Sequence, residues 1–127
     1  MAVMTTTLEE NLVTVGGAAS RQPVRTAYNE PRTDMNPGEL LCASLGACMM
    51  TMVGFLASRR NENVTGTRVE VEPSFDEKHS RITALTITFL FPEHLTQTQK
   101  DFYAKAAQGC PVHNSLREDI AHKVIVK

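Results

Sequence analysis

The chain has 127 residues, which is enough for one domain with a substantial buried core. Its 13 basic and 14 acidic residues leave a formal net charge of −1 at pH 7, so the composition does not support the basic surface that nucleic-acid binding requires. The start, MAVMTTTLEE, lacks the basic region and apolar core of a secretory signal, and the three cysteines form no CxxC pair. We therefore predict a cytoplasmic protein whose thiols are reduced at rest.

The amino-terminal third predicts a small antiparallel sheet. Residues 4–8 and 12–15 form a hairpin across EEN, and residues 23–28 supply a third strand. The segment EPRTDMN then predicts a loop before the central element.

A long helix is predicted over residues 37–60. Asn36 is a good N-cap, Pro37 suits the first helical position and Asn61 can adopt the left-handed conformation that ends a helix. Residues 40–58 carry no charge and have transmembrane length, but polar residues dilute the run and the strands would otherwise lack a core, so we favour a helix buried in a core over a membrane span. Small residues along one side would allow another backbone to approach closely: Ala43, Gly46, Ala47 and Gly54.

The remaining elements complete a single α+β domain over residues 1–127. Residues 67–72 and 85–91 alternate as two strands of a hairpin, and Ile82 lies out of phase, which predicts a bulge or register change near Thr83 and Ala84. Residues 96–108 predict a helix with a capping box from Thr96 to Gln99 and an apolar face containing Phe102, Tyr103 and Ala106. A short helix from Pro111 and a last strand over residues 123–127 close the chain.

Two cysteines are candidates for chemistry. Cys110 is the predicted N-cap of the short helix, where free amides and the helix dipole favour a thiolate and His113 could add an ionic partner; the alternative is a small capping residue beside a surface histidine. Cys48 lies inside the long helix and would need a cation such as Arg21, Arg25 or Arg32, unless it is a buried structural cysteine. Zinc held by Cys48, Cys110 and His113 is only weakly indicated.

Two segments resemble the OsmC/Ohr family of osmotically inducible and organic-hydroperoxide-resistance proteins. They are NPGELLCASLGACM and, 62 residues after Cys48, GCPVHNSL. The resemblance implies an intertwined homodimer in which two long central helices pack against antiparallel sheets. This is consistent with the small residues on the predicted helix.

The resemblance also implies a chemistry that needs no metal, flavin or other cofactor. Cys48 would attack an organic hydroperoxide, its sulfenic acid would condense with Cys110, and an external dithiol, possibly a lipoylated protein, would reduce the disulfide. An arginine activates the attacking cysteine in this family, and we favour Arg25 because its predicted strand is more rigid than the loop of Arg32. In the family, a glutamate ten residues before the attacking cysteine orients this arginine. That position is Gly38 in this chain, so we assign the role to the adjacent Glu39.

Substrate contacts are predicted for Met49, Met52 and His113. The helix-end argument favours Cys110 as the thiolate, whereas the resemblance assigns the attack to Cys48, and we follow the resemblance. The alternative function is a dimeric binding or stress protein whose cysteines are redox-sensitive but not catalytic. Neither function involves nucleic acid or a membrane.

Overall fold

A computed structural model describes residues 3–127, which form six strands and three α-helices. The strands are β1 (Thr5–Leu8), β2 (Val13–Gly17), β3 (Val24–Ala27), β4 (Arg68–Phe75), β5 (Ile82–Leu90) and β6 (Ala121–Val126); the helices are α1 (Pro37–Arg59), α2 (Gln97–Ala107) and α3 (Pro111–Asn114). The predicted α+β class is confirmed. The chain divides into two compact units, of which the first ends at Leu41 and the second comprises Cys42–Lys127; organisation as one domain stays a prediction.

The first unit contains the three-stranded antiparallel sheet β1-β2-β3, as the sequence predicted. A short 3₁₀ turn, Glu10–Leu12, connects β1 and β2. After β3, the amide of Ala27 donates to the carbonyl of Met35 at 3.1 Å, which holds the intervening loop against the strand end. This loop carries Arg32 to the start of α1.

Helix α1 begins with the predicted cap. The Asn36 side chain accepts from the amide of Glu39 at 2.8 Å, and the Glu39 carboxylate accepts from the amide of Asn36 at 2.9 Å. This is a reciprocal capping box, which satisfies two amides that the helix cannot bond internally. At the other end Asn61 has φ 53°, the predicted left-handed stop.

The second unit contains the sheet β4-β5-β6. Strands β4 and β5 form the predicted antiparallel hairpin, and their register shifts between Ser74 and Phe75 so that Thr83 is the extra residue of the bulge. Strand β6 pairs with β5 in parallel, so this sheet is mixed rather than antiparallel as predicted. A parallel partner must arrive through a crossover, here the segment that contains α2 and α3.

One stripe of α1 lies in the core of the second unit, together with one face of β5. The stripe consists of Cys42, Leu45, Gly46, Met49, Val53 and Ala57. Gly46 faces Val69, whose Cγ1 would lie 3.3 Å from an added Cβ, so its small size serves packing inside this unit and not the uncovered side of α1. On α2 the buried residues are Tyr103, Ala104 and Ala107, whereas Phe102 is 39% exposed, so the predicted face was displaced by one residue.

A carboxylate joins the end of α1 to α2. Glu62 accepts from the hydroxyl of Tyr103 at 2.6 Å and from Nε of Arg60 at 2.6 Å, and it also accepts from the side chain of Gln99. The hydrogen bond from Tyr103, followed by that from Arg60, lowers the pKa of Glu62 from its ordinary 4.5 to about 2. The ionised carboxylate therefore stabilises the contact between these helices.

This contact makes stability depend on acidity in a defined range. Because the folded-state pKa lies below the unfolded-state value, the stabilisation is fully present above pH 4.5 and is lost as the pH falls toward 2. We expect Glu62→Gln to lower the free energy of unfolding at pH 6, and the gap to wild type to narrow below pH 4.5. Urea denaturation between pH 2 and pH 6 measures the difference in free energy of unfolding between wild type and variant. Glu70→Gln, at an exposed position of β4, is the matched control. A gap that stays constant with pH would contradict the assignment.

Candidate functional site

Cys110 occupies the turn between α2 and α3. It is the N-cap of α3, with Pro111 at the first helical position, as the sequence predicted. Its carbonyl accepts from the amide of Asn114 at 3.0 Å, and the Asn114 side chain donates to the carbonyl of Gly109 at 3.0 Å. The Cys110 side chain is fully buried in the core of the second unit. The turn is thus fixed by hydrogen bonds on both sides of the thiol.

The thiol of Cys110 does not have the acidity that its helix-end position predicted. Burial raises its pKa, the amides of His113 and Val112 act in the opposite direction, and the thiol of Cys48 raises it further. The helix-end argument was wrong because α3 has only four residues, so its terminus offers a few amides and little macrodipole, and desolvation outweighs them. At neutral pH, Cys110 is therefore held as a protonated thiol.

Cys48 lies at the edge of the buried stripe of α1 and is half-buried. Its thiol lies in hydrogen-bond contact with the thiol of Cys110. The structure therefore brings together the two cysteines that the sequence motifs singled out. Cys42 is buried on another part of the helix, as the 240° angular separation of positions 42 and 48 requires. The pair combines one enclosed thiol with one more accessible thiol.

His113 has a partner that the sequence analysis missed. Its Nε2 lies 2.9 Å from Nδ1 of His122 on β6, and burial, together with the charge of His122, lowers the pKa of His113. The parallel pairing sets His122 opposite Leu85. The sequence signal that was available is that His122 lies two residues before Val124 and four before Val126, on the same face of a strand. The two imidazoles border an open pocket of about 330 Å³, lined by His113, Asn114, Leu116, Arg117, Glu118, Ile120 and His122.

The sequence also raised a zinc site and substrate contacts by Met49 and Met52. For zinc, the Nε2 atom of His113 already faces His122, and within residues 3–127 no group of three His, Cys, Asp or Glu side chains is arranged to hold a metal. Met49 is fully enclosed in the core and packs there. Contrary to the prediction, it does not line a surface that substrate could contact. Its position on the same stripe as Leu45 and Val53 is the reason. Met52 is half-buried against the core.

Within the first unit, Glu39 pairs with Arg32. Nη1 of Arg32 lies 2.6 Å from the Glu39 carboxylate and donates to the carbonyl of Asp34 at 2.9 Å, and its Nε lies 3.1 Å from Glu30. The amide of Asn36, followed by Arg32, lowers the pKa of Glu39. The Arg32 side chain is 16% exposed. Its guanidinium is thus held by two carboxylates and a backbone carbonyl.

Arg25 has different partners. On β3 it contacts the carboxylates of Glu9 at 3.2 Å and Asp34 at 3.4 Å, and its side chain is 53% exposed. The structure therefore unites Glu39 with Arg32, whereas the sequence analysis favoured Arg25 for the arginine that the glutamate orients. The sequence order placed Arg32 in a loop and gave no indication that its guanidinium would be held so tightly.

Comparisons with known proteins agree with this fold. Two solved structures match nearly the whole chain. One is a proposed osmotic stress induced and detoxification response protein from Psychrobacter arcticus, with 25% sequence identity, a TM-score of 0.89, and coverage of 98% of this chain and 95% of that one. The other is an OsmC-like protein from Mycoplasma pneumoniae, with 15% sequence identity, a TM-score of 0.86, and coverage of 100% of this chain and 96% of that one. A third is the organic hydroperoxide resistance protein OhrB of Bacillus subtilis, with 17% sequence identity, a TM-score of 0.71, and coverage of 100% of this chain and 98% of that one.

Among curated proteins, no sequence matches this chain significantly. The model of the family described as OsmC-like protein matches residues 30–125, a range that includes both cysteines of the pair, Arg32 and Glu39. This match covers most of the chain and agrees with the resemblance noted in the two cysteine motifs. The chain belongs to the OsmC-like family.

Proposed function

We propose that this protein is a cysteine-based peroxidase that reduces organic hydroperoxides. The observation that carries the proposal is the contact between a half-buried Cys48 and a fully buried, protonated Cys110. Membership of a family whose solved relatives include an organic hydroperoxide resistance protein supports the same function. We place the reaction in the cytoplasm, where thiols are kept reduced.

The proposed reaction has two steps on the protein. The Cys48 thiolate attacks the distal oxygen of the hydroperoxide, the O–O bond breaks, and the alcohol leaves after taking a proton, so that Cys48 becomes a sulfenic acid. The Cys110 sulfur then attacks the Cys48 sulfur, the S–O bond of the sulfenic acid breaks, and water leaves. The product is a disulfide between Cys48 and Cys110. An external dithiol, for which a lipoylated protein is a suitable source, returns both cysteines to thiols and becomes a disulfide itself.

Single-cysteine variants test this function. We expect Cys48→Ser and Cys110→Ser each to abolish turnover of cumene hydroperoxide with a dithiol, because each removes one half of the disulfide. Cys42→Ala should retain turnover and serves as the control. The two inactive variants should differ, since Cys110→Ser still consumes one hydroperoxide per chain and forms a Cys48 sulfenic acid, which mass spectrometry detects with dimedone. Full activity in Cys48→Ser would remove Cys48 as the attacking thiol, whereas no turnover by the wild-type protein would favour a binding or stress protein with non-catalytic cysteines.

The arginine that assists Cys48 is proposed to be Arg32, because Glu39 orients it. A guanidinium stays charged when partly desolvated and can contact a thiolate and a peroxide oxygen together. Arg25 remains the alternative from the sequence, although its exposed side chain pairs with Glu9 and Asp34.

Matched variants separate the two arginines. Arg32→Met should slow the reaction of Cys48 with hydroperoxide at neutral pH by about tenfold or more, since losing about 1.4 kcal/mol of stabilisation costs that factor. Arg25→Met should change the rate much less. Stopped-flow kinetics measure both, with circular dichroism to verify that each variant is folded. A larger loss in Arg25→Met would restore the original assignment.

A homodimer is also part of this proposal. Helix α1 alone among the helices of residues 3–127 is long and apolar enough to cross a membrane by length and composition, which is weak evidence for a span, and only 33% of its most apolar stretch is buried. The exposed positions form a second stripe of mostly small residues: Ala43, Ser44, Ala47, Thr51, Gly54, Phe55 and Ser58. A second copy of α1 would cover this stripe by close packing.

A bulky charge tests this interface. We expect the wild-type protein to sediment as a dimer at micromolar concentration, and Ala47→Arg to shift it toward monomer, because a charge on a close-packed apolar face is left without a partner. Lys105→Glu, on the exposed face of α2, is the control for a change of surface charge. A wild-type monomer under these conditions would contradict the dimer.

A further inference from the structure

The two sulfurs of the pair differ in access to solvent. Cys110 has no exposed surface and lies among core residues that include Tyr103 and Leu45. Cys48 is half-buried, at the boundary between the buried and exposed stripes of α1. A partner protomer could reduce the exposure of Cys48 but could not expose Cys110. Dimerisation therefore cannot make Cys110 the more accessible sulfur of the two.

This difference matters for any disulfide between them. A thiolate that cleaves a disulfide attacks one sulfur and expels the other, and access helps to decide which sulfur is attacked. Attack on Cys48 from its open side displaces Cys110 back toward the site that it occupies as a thiol. Attack on Cys110 would first require the turn between α2 and α3 to open, against the hydrogen bonds of Asn114 that fix it.

The surroundings of Cys110 act on it as a leaving group in two opposed directions. The amides of Val112 and His113 face its sulfur and favour negative charge there. His113 is held in turn by His122, through the 2.9 Å contact between their rings. Burial outweighs the amides and raises the pKa of the thiol, so the expelled sulfur ends as a neutral thiol. A raised pKa alone makes a poorer leaving group, so the difference in access, and not the acidity of Cys110, decides which sulfur is attacked.

We propose that the external dithiol attacks the Cys48 sulfur and that Cys110 is the leaving group. The first sulfur of the dithiol forms a mixed disulfide with Cys48, the Cys48–Cys110 bond breaks, and Cys110 takes up a proton. The second sulfur of the dithiol then attacks the first, expels Cys48 as a thiolate and closes the disulfide of the oxidised reductant. The protein disulfide gains two electrons and the dithiol loses two. This step rests on the disulfide of the proposed function, but testing it needs no hydroperoxide.

Trapping the mixed disulfide tests the assignment. In a Cys42→Ala background, diamide oxidises the pair, glutathione is added briefly, and the mixture is quenched in acid before alkylation with N-ethylmaleimide. Peptide mass spectrometry should place glutathione on Cys48 and the maleimide on Cys110 at the earliest times. Glutathione mainly on Cys110 would overturn the inference and leave the peroxidase proposal intact. Failure of diamide to join the cysteines would remove both, and trapping on Cys48 without peroxidase turnover would remove only the proposed function.

A second measurement avoids exchange between the neighbouring thiols. In the same background, Cys110→Ser and Cys48→Ser are each loaded with 5-thio-2-nitrobenzoate on the remaining cysteine, under mild denaturation and refolding where needed. Dithiothreitol should release the chromophore from Cys48 at least about tenfold faster than from Cys110, which corresponds to about 1.4 kcal/mol of opening. Rates that become equal in denaturant but differ in the folded protein assign the difference to burial. Equal rates in the folded protein would overturn the inference.

Discussion

The burial of one stripe of α1 is the constraint on which the candidate site depends. Cys42, Leu45, Met49 and Val53 enter the core of the second unit because they recur at helical spacing. The same spacing places Cys48 at the edge of the stripe, in reach of Cys110 yet half-buried. A shift of one residue would rotate the thiol by 100° and remove it either from its partner or from its route to solvent.

At Cys110, two electrostatic effects compete and burial prevails. The position before Pro111 provides free amides, which alone would favour a thiolate, but four helical residues cannot compensate for the loss of hydration. The outcome fits a resolving cysteine better than an attacking one. A protonated, enclosed thiol reacts poorly with a diffusing oxidant, although it can still meet a sulfenic acid that forms beside it.

Local chemistry made much of the fold predictable. Caps at Asn36 and Thr96, the left-handed Asn61 and the bulge at Thr83 depend on residues close in sequence, and all were found where predicted. The ion pairs of Arg32, the contact of His113 with His122 and the parallel pairing of β6 join segments whose approach is set by tertiary packing. The preference for Arg25 assumed that a strand holds a side chain better than a loop. In this structure, rigidity comes from the partners of the guanidinium: Arg32 has two carboxylates and a carbonyl, whereas Arg25 is largely exposed.

The departure at Gly38 becomes understandable in the same terms. In the proposed reaction the glutamate serves to orient an arginine, and an ion pair constrains the positions of two charged groups rather than a sequence number. The Glu39 carboxylate pairs with Arg32 and also caps the amide of Asn36, which fixes it at the first turn of α1, where the helix dipole favours an anion. The loop from residue 28 to residue 36 then brings Arg32 to this carboxylate. Glu39 therefore forms the proposed pair with an arginine from a position one residue after Gly38, where the resemblance implies the glutamate.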